Sequence, residues 1–380
     1  MSETVRARLE WIDALRLVAG LSMVGLHATA DATGQPFVTA LPEERIIPMM
    51  LRAVLYIART ELFLIISIFL LLMAQHRSGR GYAATIALQA RRLLLPFLFW
   101  TVFYAGFNLI KAGHFGYLDA VLAELGTPVK WVGFLLLGDV KYHMHFIPTL
   151  FALVLLFPLY RAAYRWPVLG ALILICLMFK RQADLFVYAQ FWGDDALPYL
   201  VRAIKIASYT GYGMVAAACL ALWQRDAPRL IAPWYFALGA VAIVLLQAKW
   251  DATWQTIETG RWPYDHTAGY WADFLMPVLL FALCMCLARQ GWAPRIGRYA
   301  RYSFGIYLCH PIFLDLAEIL LAGSTWTPAI IVLTKVAIAL PCACLLTLGL
   351  ARSRHLGWSV GLGPLPWQPT ALPQFSSRPS

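Results

Sequence analysis

Runs of mostly apolar residues recur along this chain from end to end. They lie near residues 14–32, 50–74, 93–110, 143–160, 166–180, 203–223, 231–249, 270–288, 302–321 and 326–350. A helix needs about 20 apolar residues to cross the hydrocarbon of a bilayer, and its backbone must be hydrogen-bonded within the segment. The runs therefore predict an all-α integral membrane protein of about ten transmembrane helices, the fifth being the shortest. Composition agrees: 13% of residues are charged, against about 25% in a soluble domain. No small-residue cleavage site follows the first run, which is therefore expected to stay as a membrane helix.

The formal net charge of +11 reads as a topology signal, not as a nucleic-acid surface. With the N-terminus and its Arg6 and Arg8 in the cytoplasm, the loops on that side hold Arg77, Arg80, Arg91, Arg92, Arg161, Arg165, Arg225, Arg229, Arg289, Arg295, Arg298 and Arg301. Arg352 and Arg354 follow in the tail, and Asp226 is almost the only acid. The opposite loops collect Glu43, Glu44, Asp119, Glu124, Asp139, Asp184, Asp194, Asp195, Asp251, Glu258 and Asp265 with scattered lysines. An even span count with both termini inside fits this asymmetry. Residues 1–355 are expected to form one transmembrane domain, and the Gly-, Pro- and Ser-rich residues 356–380 a loose cytoplasmic tail. All seven cysteines fall in apolar segments, which argues against a disulfide framework, and no metal site is expected.

Ionisable groups inside such helices are costly and mark function by default. His27 lies in the first run, 11 residues after Arg16. That spacing returns to the same helical face about 16 Å further along. The alternative is a snorkelling helix end plus a packed histidine. An outer layer gathers His27, Arg59, Glu61, His143, His145 and Asp273, with Trp254, Trp262, Tyr264, Tyr270 and Trp271 beside it. The aromatics also fit an interfacial belt, and Arg59 with Glu61 also fits a buried salt bridge that fixes packing. An inner layer gathers Arg16, Arg91, Arg92, Arg298, Arg301, Tyr302 and Ser303. Clustered arginines suit phosphate oxygens, and imidazoles suit proton transfer near neutral pH. His310 lies mid-span and is followed by Pro311, which is expected to open backbone toward a cavity.

The chain resembles the bacterial membrane-bound acyltransferase family 3, which O-acylates envelope and exported polysaccharides. The resemblance covers about residues 9–350 and rests on four ordered motifs. These are Asp13-x-Leu15-Arg16 with the step to His27; Arg92-Leu93-Leu94-Leu95-Pro96-Phe97-Leu98-Phe99-Trp100; His143-Met144-His145-Phe146-Ile147-Pro148; and Tyr302-Ser303-Phe304-Gly305-Ile306-Tyr307-Leu308-Cys309-His310-Pro311. The chain departs from the family pattern at Ile68, where a glycine is usual after Ser67, at Gln89, where an arginine is frequent, and at His145, where the family has tryptophan.

The resemblance implies an O-acyltransferase of the bacterial inner membrane that uses acyl-CoA as co-substrate and needs no bound cofactor. The donor would place its phosphates on Arg16, Arg91 and Arg92, with Ser303 and Tyr307 on the donor side. His27 would act as base or carry the acyl group, with Glu61 and Asp13 as the carboxylates of the catalytic set. His143, His145 and His310 would line the site of a polysaccharide or glucan acceptor on the periplasmic side. Acetyl is favoured as the acyl group, with succinyl transfer to osmoregulated periplasmic glucans as the alternative. A different class, a proton-coupled transporter of a sugar or lipid-linked sugar, would use the same polar groups as a relay. The lack of an internal repeat counts against it. A homo-oligomer is allowed.

Overall fold

The computed structural model describes residues 10–225, 234–288, 297 and 299–365. Among these residues there is helix and no strand. In chain order the helices are α1 (Glu10–Ala28), α2 (Pro42–Leu55), α3 (Thr60–Ser78), α4 (Tyr82–Phe115), α5 (Leu118–Leu125), α6 (Pro128–Leu136) and α7 (Phe146–Leu155). They continue as α8 (Phe157–Arg165), α9 (Leu172–Phe191), α10 (Leu197–Gln224), α11 (Trp234–Thr259), α12 (Thr267–Cys286), α13 (Ser303–Leu320) and α14 (Pro328–Arg352).

Among the described residues, eight helical segments are long and apolar enough to cross a membrane, including Pro42–Ser78, which joins α2 and α3. The pair α7 and α8, bent by 64°, brings the number to nine. The fifth expected stretch, residues 166–180, runs into α9, which carries Lys180, Arg181 and Asp184 mid-helix and is too polar to be counted with the others. The bend at Leu156 lies just before Pro158 in the first turn of α8, where the ring costs no helix bond.

The expectation of a loose tail from Gly357 onward is corrected in part. Residues Gly357–Val360 form a helical turn, and Val360 and Ser359 are fully buried. The Trp100 indole donates to the Ser359 carbonyl at 2.8 Å, which ties this turn to α4. Residues 366–380 lie outside the described residues, as do Arg6, Arg8, Arg229, Arg289, Arg295 and Arg298.

The core is centred on α1, whose buried side chains include Trp11, Ile12, Leu15 and Val24. Trp11 packs edge-on to Phe69 of α3 and Phe281 of α12, at centroid distances of 6.2 and 5.3 Å. Helix α13 lies against both α1 and α14. The α1–α13 approach is close at Gly20, where a Cβ would stand 3.3 Å from the Ser303 Cβ. A side chain at this point would require Ser303 to give by a few tenths of an ångström.

The C-terminal end of α1 is held from three sides. A helix end leaves carbonyls without intrahelical donors, and cations are favoured there. The Leu26 carbonyl accepts from Arg52 of α2 at 3.0 Å and from the Thr29 hydroxyl at 2.6 Å. The Ala30 carbonyl accepts from Lys335 of α14 at 2.8 Å.

Candidate active site

Three imidazoles meet where α1 ends. His27 comes from the last turn of α1, His143 from the loop before α7, and His310 from the middle of α13. The rings of His27 and His310 stack at 5.4 Å with a 19° interplanar angle. His143 stands edge-on to His310 at 5.3 Å. His310 and His143 are essentially inaccessible, at 0% and 1% exposure. His27 Nε2, His310 Nε2 and both ring nitrogens of His143 are buried without a hydrogen-bond partner among the described residues. Such groups are rare because each forfeits its hydration without replacement. The three rings thus bring four unpartnered nitrogens into one buried neighbourhood.

Each ring is positioned by local chemistry. In a helix the N–H of residue 311 would bond the carbonyl of Tyr307. Pro311 has no N–H, so that carbonyl is free, and His310 Nδ1 lies 2.7 Å from it. A carbonyl only accepts, so Nδ1 carries the proton and neutral His310 presents its Nε2 lone pair to the cluster. The His143 loop turns at Gly138, where φ is +69° and a Cβ would stand 2.7 Å from the Met144 carbonyl oxygen. The Tyr307 hydroxyl donates to the His143 carbonyl and fixes the loop against α13. Burial holds the His143 imidazole well below its ordinary titration range, and the His310 and His27 rings push the same way. It is therefore a neutral ring at neutral pH. Tyr142, which is 43% exposed, covers His27 at 4.4 Å and forms the outer wall of the cluster.

Behind the imidazoles lies a buried ionic network. Asp315 pairs with Lys111 at 3.2 Å and with Lys141, and Glu318 pairs with Lys335 at 2.6 Å and with Lys111. Lys141 also donates to Asn108 at 3.1 Å. Both carboxylates are engaged by lysines, so neither orients an imidazole.

A family described as an acyltransferase domain matches residues 9–348. The chain belongs to acyltransferase family 3. No curated protein and no solved structure gives a significant match. The histidine cluster of this acyltransferase lies within the matched span, as do all the site residues expected from sequence.

The acyltransferase separates some residues that the sequence reading had joined. Glu61 was expected beside His27. It is fully buried, but its carboxylate is bound by Arg59 at 2.6 Å and by the Tyr209 hydroxyl. The break between α2 and α3 sets this pair, since Arg59 is extended there, with φ −81° and ψ −171°. Asp13, the other expected carboxylate, pairs with Arg16 at 3.6 Å near the start of α1. It stands 14 residues from His27, about 21 Å of helix rise away. Tyr307, expected on the donor side, belongs to the histidine cluster through its bond to His143. His145 does not join the stack. Its Nδ1 lies 2.7 Å from the Tyr142 carbonyl, and its own carbonyl accepts from Arg202 at 2.7 Å.

The far end of α1 has a different character. Arg16 is close enough to Arg92 of α4 for their charges to interact, and Arg91 and Arg92 are both exposed. Ser303 is buried against Gly20 between this end and the histidines. A cavity of about 620 Å³ opens between α1, α13 and α14, lined by Leu17, Leu21, Arg301, Tyr302, Ile306 and Leu348 among others. It is mostly apolar with a guanidinium at its edge. Leu21 is six residues short of His27, about 9 Å of helix rise.

Sequence reading missed Tyr142, Arg52 and the lysines of the network. Tyr142 had a detectable signal, as the neighbour of His143 in a motif already singled out. Lys111, Lys141 and Lys335 had none, because their partners lie 17 to 207 residues away.

Proposed function

We propose that this acyltransferase moves an acyl group, with acetyl favoured, from cytoplasmic acyl-CoA to a hydroxyl of an envelope or exported polysaccharide on the periplasmic side of the bacterial inner membrane. The observation that carries this reading is the cluster of three imidazoles with unpartnered nitrogens at one end of α1, with Arg16 and Arg92 at the other. The donor's phosphates would rest on the arginines, and the apolar cavity beside Leu17 and Leu21 suits the thioester arm. His27 would take the proton of the acceptor hydroxyl as its oxygen attacks the thioester carbonyl. The C–S bond then breaks, and the CoA sulfur receives a proton. The His310 ring stacked on His27 at 5.4 Å would offer its π face, not a hydrogen bond, to His27 as it becomes charged. No carboxylate is needed for this, which separates the arrangement from a Ser-His-Asp triad.

Sealed vesicles of one orientation test the reading. Acetyl-CoA supplied to the face bearing Arg91 and Arg92 should acylate glycan trapped on the other face, with free CoA appearing on the donor side. The His27→Ala protein should lose transfer by at least about 100-fold while remaining folded. A requirement for both substrates on one face would overturn the sidedness. Retention of half the activity by His27→Ala would remove His27 from the mechanism.

A further inference from the structure

A second polar region adjoins the histidine cluster on the α2–α3 side. Arg52, Arg59 and Lys249 surround the Tyr56 ring at 5.5, 4.4 and 4.2 Å. Arg59 and Lys180 lie on the Phe274 ring at 4.6 and 5.1 Å. Each carboxylate in this region has its own cation: Glu61 with Arg59, Asp184 with Lys180, and Asp273 with Lys249. Arg52 and Arg202 are satisfied by main-chain carbonyls and threonine hydroxyls.

Lys205 of α10 is different. Lys205 is half-buried, and its ammonium, 5.3 Å from the Tyr209 ring, has no hydrogen-bond acceptor and no ion-pair partner among the described residues. It stands within electrostatic range of Glu61, Arg202, Arg59 and Lys180, so the charge around it is already predominantly positive. Arg202, one turn earlier on α10, donates to the His145 carbonyl at 2.7 Å. His145 in turn lies two residues after His143 in the same loop. Lys205 therefore lies beside the site where transfer would occur. An ammonium set in a membrane-spanning helix is expensive without a counter-ion. Glu61, the carboxylate in range of Lys205, is already paired with Arg59 at 2.6 Å, so no carboxylate among the described residues pairs with Lys205.

We propose that Lys205 receives an anionic group of the substrate, a carboxylate or phosphate carried by the acceptor saccharide or by the acyl chain itself. The ligand would bring the missing counter-ion, so binding removes a cost present in the empty site. Neutral analogues would leave the ammonium unpaired and bind less well. This rests on the acyl-transfer reading for its location but not for its chemistry.

The test uses the purified full chain in nanodiscs. The acceptor arm compares 4-nitrophenyl glucuronide with 4-nitrophenyl glucoside, using acetyl-CoA. The donor arm compares succinyl-CoA with butyryl-CoA, using the glucoside. A binding arm follows the thermal shift given by glucuronate against glucose, and by succinate against butyrate, at fixed ionic strength. The wild type should prefer the more anionic member of one arm by about 10- to 150-fold in kcat/KM. Lys205→Met should bring that ratio to about one, and Lys205→Arg should restore part of it. The arm that responds names the source of the anion. No charge preference in any arm, or the same ratio in wild type and Lys205→Met, would overturn the proposal. An anion-specific thermal shift lost in Lys205→Met, with no transfer to any acceptor, would uphold the anion site and sink the acyl-transfer reading instead.

Discussion

Replacing His143 by leucine should stabilise the protein and silence it. His143 is 1% exposed, and neither ring nitrogen has a partner among the described residues. A neutral imidazole carries one N–H and one lone pair, so two hydrogen-bonding groups are forfeited on burial. Each costs about 1–3 kcal/mol, or about 2–6 kcal/mol together. Leucine is of similar volume, but its shape differs from a ring packed at 5.3 Å from Tyr104 and 5.1 Å from Tyr307. Misfit of this kind costs about 1–3 kcal/mol, leaving a net gain of about 2 kcal/mol. For a chain of 380 residues that corresponds to a rise in Tm of about 2–4 °C. Thermal unfolding followed by tryptophan fluorescence measures it, and an acyl-transfer assay on the same preparation should show a loss of at least about 100-fold. His143→Gln, which keeps the polar groups, should lose activity without the rise in Tm. A fall of more than 2 °C in the leucine variant would show that the nitrogens are hydrogen-bonded in the folded protein and refute the argument. Transfer within tenfold of wild type would take His143 out of the chemistry.

Three other outcomes are expected. Because burial lowers the His143 pKa below its unfolded value of about 6.5, the unfolded chain binds more protons below that pH. Stability should be complete above about pH 6.5 and fall as pH drops toward the folded value, a slope that His143→Leu should reduce in a Tm-against-pH series. Arg16→Ala and Arg92→Ala should each raise KM for acyl-CoA by about 10- to 150-fold with a smaller effect on acceptor KM, and Arg16→Lys should not rescue a bidentate contact. Equal rises for both substrates would count against a donor site there. Lys335→Met strips an ammonium that is 1% exposed from Glu318 and from the Ala30 carbonyl. It should cost about 3–5 kcal/mol in denaturant unfolding, and the added change Glu318→Gln should recover at least 1 kcal/mol in a double-mutant cycle.

The bilayer explains why so much of the fold was legible. Lipid demands long apolar helices, so α1, α4, α10, α13 and α14 announce themselves in the sequence. The breaks were harder to see. The α7–α8 bend depends on Pro158, and the α2–α3 break falls at Arg59 inside an apolar stretch. All three clustered histidines were visible as costly residues, but sequence spacing relates only residues on one helix. It tied His27 to Arg16 and could not show that His310 stacks on it. Glu61 was read as a partner of His27, because its true partner Tyr209 lies 148 residues away. The buried salt bridge with Arg59, weighed as the alternative, is what the structure contains.

The order in which the chain is made gives the histidine cluster a further property. Its members lie at positions 27, 143 and 310, and the third arrives only with α13, near the end of synthesis. Until α13 docks on α1, the His27 ring has no stacked partner and the Tyr307 hydroxyl that fastens the His143 loop is missing. The cluster is therefore complete only once the last-made third of the polypeptide has met the first-made helix.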